Sequence, residues 1–294
     1  MFTRKGVKTF IKNSYSENIK KALNILDNAE KIVCGVGAGL TSSGGINYMD
    51  TEHLKTFYPQ YYNLGFKNIF DVMSMFWKLT EDNVLNYWAF WAHHINHVRF
   101  ETSVMKPYQD LYALLKGKDY FICSTNVDGQ LKKAGFKDNK IFAPQGDYAY
   151  LQCKTPCNNN IFYNKRIIQN ILENMEGSYS IQKDDIPYCS NCEDYLIPNL
   201  RSDNLFVEKP YLKNYNKYMN YLNDAKNQDT IFLELGVGFN TPIIIRYPFE
   251  NMVSKYPNCT LIRVNLNDIM SLHNQGNTII LQEDLAKVLK DLTF

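Results

Sequence analysis

The stretch of sequence that decides the fold is KIVCGVGAGLTSSGG, residues 31–45, where a continuous apolar run leads into a loop of glycine, threonine and serine. The run Lys31–Val36 does not alternate polar and apolar residues, which is typical of a parallel strand covered on both faces. Glycines let a backbone approach a phosphate, and a helix starting there would add N–H donors. A tight turn without a ligand explains this segment equally well, so both interpretations stay open.

Apolar runs of strand length recur along the chain, and segments with helical spacing lie between them. The predicted strands are Lys31–Val36, Tyr120–Ser124, Lys140–Ala143, Thr230–Leu235, Leu261–Asn265 and Thr278–Leu281. The predicted helices are Ser16–Ala29, Phe70–Phe100, Pro107–Leu115 and Asp284–Leu292. This alternation predicts an α/β fold with a Rossmann-like, doubly wound parallel sheet of about six strands.

The composition argues against some classes of function. The 294 residues carry a net charge of only +2, which is unusual for a protein whose main surface binds nucleic acid. No apolar run reaches the 18 residues that suggest a membrane span, and the first residues lack the features of a signal peptide. We therefore expect a soluble, cytoplasmic protein that binds neither nucleic acid nor membrane.

Four of the seven cysteines form two close pairs, Cys153 with Cys157 and Cys189 with Cys192. In a chain without an export signal, such pairs indicate a metal site sooner than disulfides. Four thiolates suit a tetrahedral, closed and therefore structural Zn²⁺ site, and free structural cysteines are the alternative.

Two irregular regions set the predicted domain organisation. Residues 151–206 hold the cysteine pairs and form a small zinc-binding module. Residues 1–150 and 207–294 form the nucleotide-binding domain, with a helical insert at about 46–105 after the first strand.

Three histidines of that insert, His93, His94 and His97, have a spacing that could hold a metal on one helix face. The metalloprotease glutamate is missing, and the neighbours are tryptophan and phenylalanine. We therefore prefer packing roles for these histidines and for the aromatic residues from 70 to 100.

Polar or glycine-rich segments follow the predicted strands at 124–129, 144–147, 236–242, 264–267 and 283–285. Single segments have local explanations, such as an Asx turn at Asn126 and Asp128, or a helix capped by Thr241 with Pro242 in its first turn. Turn chemistry does not explain their recurrence at every strand end. That edge of an open α/β sheet is where ligands bind.

The order of these segments resembles the sirtuin family. GAGLTSSGG at 37–45 is similar to the sirtuin G-A-G loop, STNVDGQ at 124–130 to the T-Q-N-I-D segment, and PQGDY at 144–148 to the segment with the catalytic His-Gly. The cysteine pairs, the peptide-pairing segment Phe206–Glu208, and GVGFNTP, VNLN and EDL follow in family order. The resemblance spans about residues 30–290 and implies binding of NAD and cleavage of its nicotinamide–ribose bond.

The departures from the sirtuin pattern are equally informative. Gln145 replaces the catalytic histidine, and Asn47–Asp50 replaces Pro-Asp-Phe-Arg. With PNLR at 198–201 and GVGFNTP, these departures resemble the class M sirtuins of bacteria and fungi, which are encoded beside a macrodomain protein. That resemblance implies an NAD-dependent protein ADP-ribosyltransferase that acts on a lipoylated, glycine-cleavage-H-like carrier, with the macrodomain protein as functional partner.

A glutamine at this position changes the chemistry that the site can perform. Deacylation needs a group that titrates near neutral pH to remove a ribose 2′-hydroxyl proton, and an amide does not titrate. Loss of nicotinamide needs orientation and charge stabilisation but no such base. A protein side chain could then capture the anomeric carbon. A residual NAD-dependent protein deacylase and an NAD-binding sensor with little turnover remain alternatives.

The resemblance also assigns the residues of the site. Asn126, Asp128 and Gln145 are the expected catalytic residues. The residues expected to bind the cofactor NAD are Gly37, Ala38, Gly39, Thr41, Ser42, Asn47, Asn126, Asp128, Gln145, Gly236, Gly238, Asn240, Asn265, Asn267, Glu283 and Asp284. The expected ligands of a structural Zn²⁺ are Cys153, Cys157, Cys189 and Cys192. Ile46, Tyr48 and Phe239 are candidates to line a channel for a lipoyl arm, with simple loop packing as the alternative.

Overall fold

The computed structural model describes residues 14–175, 179–267 and 277–293. Its strands are β1 (Lys31–Val36), β2 (Tyr120–Ser124), β3 (Ile141–Phe142), β4 (Gly146–Cys153), β5 (Phe162–Tyr163), β6 (Leu196–Leu200), β7 (Thr230–Leu235), β8 (Cys259–Val264) and β9 (Asn277–Leu281). Its α-helices are α1 (Tyr15–Asn28), α2 (Ala38–Ser43), α3 (Thr51–Phe57), α4 (Pro59–Asn63), α5 (Ile69–Met75), α6 (Val84–Ile95), α7 (Lys106–Leu115), α8 (Gln130–Lys133), α9 (Lys165–Asn174), α10 (Lys209–Ala225), α11 (Arg246–Lys255) and α12 (Leu285–Thr293).

Six strands form one parallel sheet in the order β3-β2-β1-β7-β8-β9. Every residue of β1 and β7 is buried, because helices cover both faces of the sheet. The predicted fold class is therefore confirmed. The strand order reverses between β1 and β7, and in such sheets ligands bind at the carboxyl ends of the strands on either side of the reversal.

The element ends differ from prediction where local chemistry intervenes. The first helix begins at Tyr15 because Ser14 and Glu17 form a capping box: the Ser14 hydroxyl accepts from the Glu17 N–H at 3.3 Å, and the Glu17 carboxylate accepts from the Ser14 N–H at 2.8 Å. The prediction of a helix start at Thr241–Pro242 is wrong. Turns occupy 241–245, and α11 begins at Arg246.

A second, antiparallel sheet has the order β5-β4-β6. Its central strand β4 begins beside Gln145, at the edge of the parallel sheet, and ends at Cys153. One strand thus connects the predicted reaction centre to the predicted zinc module.

The helical insert after β1 contains a core of buried aromatic side chains. Trp88 and Trp91 on α6 are buried, as is His94. The His94 ring lies between two tyrosine hydroxyls, at 2.8 Å from Tyr58 and 3.2 Å from Tyr148. These contacts support the packing interpretation of the aromatic segment. Across the described ranges, the structure contains no helix long and apolar enough to cross a bilayer.

Candidate active site

A crevice of about 380 Å³ opens at the carboxyl ends of β1, β2, β7 and β8. It lies at the reversal of strand order, where the fold class predicts a ligand. Its lining residues are Gly37, Ala38, Gly39, Thr125, Asn126, Gln145, Gly236, Val237, Gly238, Asn240, Thr241, Asn265 and Asn267.

The glycines of the crevice let its two main loops touch each other. A Cβ on Gly37 would lie 2.6 Å from the Gly236 carbonyl oxygen, and one on Gly39 would lie 2.7 Å from the Gly236 Cα. Gly236 itself has φ +60°, a conformation that favours glycine. The Gly39 N–H donates to Gly236 O at 3.0 Å, so it is not a free donor for a phosphate. The glycine at 39 is thus explained by loop packing as well as by ligand access.

The loop after β7 is held from below by a buried arginine. Arg246 donates to the Val237 carbonyl at 2.9 Å, and the Asn265 amide donates to the same oxygen at 3.1 Å. The Arg246 side chain has no solvent exposure, and Glu234 lies 3.6 Å from it. Glu234 also forms a bidentate ion pair with buried Arg263, at 2.7 and 2.8 Å. This network fixes the backbone of one crevice wall.

Asn126 presents a defined orientation to the crevice. Its amide nitrogen donates to the Gly37 carbonyl at 3.0 Å, to the Thr41 hydroxyl at 3.1 Å and to the Tyr108 hydroxyl at 2.9 Å. Within the described ranges, no donor contacts its amide oxygen. The group that Asn126 can offer to a ligand is therefore an acceptor.

Asp128 lies behind Asn126 rather than in the crevice. It is 4% exposed, and its carboxylate accepts from Thr41 at 2.6 Å, Tyr108 at 3.2 Å and the Gln130 N–H at 2.9 Å. Burial raises the pKa of this carboxyl above its ordinary value, and the hydrogen bond from Thr41 opposes that shift. The hydrogen bonds of Asp128 thus help to fix the positions of Thr41, Tyr108 and the Gln130 backbone.

Gln145 is fixed through its backbone. Its carbonyl accepts from the Arg201 N–H at 3.0 Å, and the Arg201 side chain donates to the carbonyl of Pro144 at 2.8 Å. The next residue, Gly146, has φ +101°, and a Cβ there would collide with the carbonyl of Asn199. The Gln145 side-chain oxygen is buried, and no partner for it exists among the described residues. Gln145 lines the crevice, while this oxygen is itself shielded from solvent.

No lining residue of the crevice, within the described parts of the chain, has a side chain that titrates near neutral pH. The lining consists of glycines, amides, threonine hydroxyls and aliphatic side chains. The Asn126 amide oxygen, together with the amide and hydroxyl groups of the described lining, suits the N–H and O–H donors of a carboxamide and a ribose, so the residues present fit NAD. They do not provide a general base.

The four paired cysteines converge on one point. Their sulfur atoms lie within 4.8 Å of one another, with Cys153 at 3.5 Å from Cys157 and 3.8 Å from Cys192. Four sulfurs at about 2.3 Å from a tetrahedral zinc lie about 3.8 Å apart, so the spacing fits Zn²⁺. The distances are too long for disulfides.

Comparison with solved structures shows which fold this is. A structure of a Sir2 enzyme, solved to explain mechanism and regulation, is 16% identical with a TM-score of 0.60, covering 95% of this chain and 97% of the other. A Sir2 homologue mutant with ADP-ribose is 17% identical with a TM-score of 0.58, covering 93% and 94%. The chain has the sirtuin fold.

Two curated proteins are similar to this sirtuin-fold chain in sequence. One is a protein ADP-ribosyltransferase from Staphylococcus aureus, 26% identical over 276 residues, covering 90% of this chain and 83% of the relative. The other is a probable bifunctional ADP-ribose hydrolase/ADP-ribosyltransferase from Fusarium oxysporum f. sp. cubense, 25% identical over 294 residues. The match covers 95% of this chain and 48% of that protein, so the chain spans about half its length.

No protein-family model matches the chain. The resemblance to sirtuins that the motifs indicated, and within them to ADP-ribosyltransferases, is nevertheless confirmed by the relatives and the fold.

The sirtuin fold brings most of the predicted NAD-binding residues together. Ten of them line the crevice, namely Gly37, Ala38, Gly39, Asn126, Gln145, Gly236, Gly238, Asn240, Asn265 and Asn267. Thr41 and Asp128 contact Asn126 or its neighbours from behind. Thr125, Val237 and Thr241 line the crevice without having been predicted, although each adjoins a predicted residue.

Besides Thr41 and Asp128, four predicted residues do not line this crevice: Ser42, Asn47, Glu283 and Asp284. The Asp284 carboxylate caps α12 by accepting from two backbone N–H groups at 2.9 and 3.1 Å. Glu283 accepts from the Asp284 N–H at 3.0 Å. Asn47 is exposed and closes an Asx turn with the N–H of Met49 at 3.0 Å. Their contacts with NAD stay predictions.

The three candidates for a lipoyl channel each make packing or hydrogen-bond contacts of their own. Ile46 is in the core, and the Tyr48 hydroxyl lies 3.4 Å from that of Tyr148. Phe239 is 45% exposed and covers the Arg246 guanidinium at 4.1 Å. These contacts favour the loop-packing alternative.

Proposed function

We propose that this chain is an NAD-dependent protein ADP-ribosyltransferase. In this proposal it binds NAD in the crevice, releases nicotinamide and transfers the ADP-ribosyl group to an acceptor protein. The observation that carries the choice is the lining of the crevice, which, among the described residues, offers amide side chains and no titrating side chain. The similarity to a protein ADP-ribosyltransferase supports the same choice.

NAD supplies the transferred group and the leaving group, and the side chains supply orientation. The amide oxygens of Asn126 and Gln145 accept hydrogen bonds from the carboxamide or the ribose, and their partial negative charge stabilises a positively charged anomeric centre. In the transfer, the nicotinamide–ribose bond breaks with its electron pair on nicotinamide. The acceptor forms the new bond to the same carbon. A carboxylate acceptor has no proton to lose, so it needs no base.

Protein deacylation is less consistent with this crevice. Loss of a general base lowers a rate by roughly 10²- to 10⁴-fold. Asp128 shares the partners Thr41 and Tyr108 with Asn126, and its oxygens already accept hydrogen bonds from side-chain hydroxyls and the Gln130 backbone.

The remaining assignments follow the sequence-based expectations. We propose that the cysteine cluster holds one structural Zn²⁺, within a module at 151–206, and that 1–150 with 207–294 forms the NAD-binding domain, with its helical insert at about 46–105. Residues 1–13, 176–178, 268–276 and 294 of these ranges lie outside the described residues. Four thiolates are compatible with a reducing compartment, and we propose the cytoplasm.

For the acceptor we propose a glycine-cleavage-H-like carrier protein, modified when it carries lipoyl. We propose a macrodomain protein as functional partner. The name of the Fusarium relative combines an ADP-ribose hydrolase with an ADP-ribosyltransferase, which supports pairing of the two activities.

The decisive experiment incubates the purified protein with NAD labelled in its adenosine moiety and the carrier, with and without lipoyl. Nicotinamide is measured by chromatography and the carrier by mass spectrometry. We expect nicotinamide release and a gain of ADP-ribose by the lipoylated carrier. Binding of NAD without nicotinamide release would support the sensor instead, and loss of an acyl group from the carrier would support the deacylase. Equal modification of both carrier forms would remove lipoyl recognition while leaving the transferase.

A further inference from the structure

Tyr108 lies at the centre of a buried polar cluster beside the crevice, which we call the Tyr108 cluster and which comprises Thr41, Tyr108, Asn126 and Asp128. Tyr108 is on α7, outside every segment that resembles a sirtuin motif, and it is fully buried. Its hydroxyl lies 2.7 Å from that of Thr41, 2.9 Å from the Asn126 nitrogen and 3.2 Å from the Asp128 carboxylate.

The orientation of the Asn126 amide follows from its neighbours. The Gly37 carbonyl, at 3.0 Å, can only accept, so the amide nitrogen must face it. The two hydrogens of that nitrogen meet three acceptors: Gly37 O and the hydroxyls of Thr41 and Tyr108. A flipped amide would turn its oxygen towards the Gly37 carbonyl oxygen, which is repulsive. The amide oxygen is therefore held on the side away from Gly37, Thr41 and Tyr108, on a residue that lines the crevice.

Asp128 sets the direction of the hydroxyls. The Thr41 hydroxyl donates to the Asp128 carboxylate at 2.6 Å, and the single hydrogen of Tyr108 is shared between Thr41 at 2.7 Å and Asp128 at 3.2 Å. Each hydroxyl has one hydrogen, so each offers only lone pairs to Asn126. Because Tyr108 has no solvent exposure, no water competes for its hydroxyl.

We infer that Tyr108 is a positioning residue for cleavage of NAD: its hydroxyl, oriented by Asp128, holds the Asn126 amide so that the oxygen faces the anomeric centre. This inference rests on the proposed function. Tyr108 touches no ligand in this scheme and acts through Asn126 alone.

The test is a double-mutant cycle with Tyr108→Phe and Asn126→Ala. The control is Tyr112→Phe, one turn later on α7, which removes a hydroxyl that makes no hydrogen bond within the described residues. Nicotinamide release is measured with NAD and the lipoylated carrier, and NAD affinity by calorimetry. We expect Tyr108→Phe to lower kcat about tenfold and to weaken NAD binding about threefold, while Tyr112→Phe matches the parent.

The decisive comparison is the effect of Tyr108→Phe in the Asn126→Ala protein. In the Asn126→Ala background, Tyr108→Phe should have no further effect, since the residue through which it acts is gone. An equal effect in both backgrounds, or parent-like values for Tyr108→Phe, would overturn the inference. If Tyr108→Phe does not fold, Thr41→Val removes the other hydroxyl and is tested in the same cycle. A parent that binds NAD but releases no nicotinamide would refute the transferase, and the affinity cycle would still decide the role of Tyr108.

Discussion

The two ends of β4 carry sites that are built in opposite ways. At its start, Gln145 joins a crevice assembled from the ends of β1, β2, β7 and β8, which lie far apart in the sequence. At its end, Cys153 joins three other cysteines that all lie between residues 153 and 192. Seven residues of strand, about 20 Å, separate the two.

The difference concerns what holds each site together. The cysteine sulfurs face one another, so a bound metal supplies the contact that closes the module. The crevice is held by hydrogen bonds between side chains and loop backbones, such as those of Arg246 to Val237 and Asn126 to Gly37. Substitutions at the cysteine end should therefore change stability, and substitutions at the crevice end should change turnover.

The largest expected effect is on stability at the cysteine end. Cys189→Ser removes one of four ligands, and because a closed zinc site contributes folding energy directly, we expect a loss of about 4 kcal/mol or more in the free energy of unfolding. Denaturant unfolding and metal analysis of the purified protein measure the change. The neighbouring exposed Ser190→Ala is the matched control and should behave like the parent. Parent protein without zinc, together with unchanged unfolding of Cys189→Ser, would refute the metal site.

The next prediction tests whether the crevice and the cysteine cluster, at the two ends of β4, are independent. Asn126→Ala removes an oriented acceptor from the crevice, and we expect nicotinamide release to fall by about 10²- to 10³-fold. Its zinc content should equal that of the parent, and its free energy of unfolding should fall by no more than about 3 kcal/mol, because the two amide hydrogens contribute about 0.5–1.5 kcal/mol each. Undiminished nicotinamide release would place the reaction elsewhere. A loss of zinc would show that the two ends are not independent.

A smaller effect is expected at Gln145. Gln145→Ala keeps the backbone bond to Arg201 but removes the leftover amide oxygen, so we expect about a tenfold loss of transfer through poorer orientation of the ribose. The parent should show negligible deacetylation of acetyl-lysine peptides, since the part of the crevice lining that the structure describes provides no base. Deacetylation by the parent at rates similar to those of sirtuins with a histidine at this position would contradict the mechanism.

The sequence predicted the bounds of the central strands well, but it did not predict the side chains whose hydrogen bonds hold the crevice residues in place. The bounds of β1, β2 and β7 match the prediction because each is a continuous apolar run buried by helices. The cysteine cluster was predictable because its spacing implies its chemistry. Tyr108 was not, because a tyrosine on an amphipathic helix has no local feature that distinguishes a hydrogen-bonding role from core packing.

The other differences between prediction and structure occur at residues whose sequence context fits two structural roles. Asp284 follows a strand and precedes a helix, and those neighbours suit a ligand contact and a helix cap equally. The structure shows the cap. Thr241–Pro242 has the residue types that are typical of a helix start, but a turn that extends to Ile245 separates it from the helix that begins at Arg246. Such choices depend on tertiary contacts that no short segment contains.

The smallest effect concerns the buried carboxyl at the crevice end. Burial raises the pKa of Asp128 above its ordinary value of 3.8, against hydrogen bonds from Thr41, the Gln130 backbone and Tyr108. The folded protein thus binds this proton more tightly than the unfolded chain does. Its contribution to stability is fully present below pH 3.8 and is lost as the pH rises through the folded pKa.

Asp128→Asn does not titrate, so it isolates this contribution. We expect the free energy of unfolding of the parent, minus that of Asp128→Asn, to fall as the pH rises above 3.8 and to level off above the folded pKa. The fall is about 1.4 kcal/mol for each unit by which the two pKa values differ. Urea unfolding at a series of pH values measures it. The zinc thiolates are shared by both proteins, so protonation of the cysteines cancels in the difference. If the parent free energy of unfolding, minus that of Asp128→Asn, rises with pH instead, hydrogen bonds to the carboxylate outweigh the cost of its burial. The Tyr108 cluster would then stabilise the ionised form of Asp128.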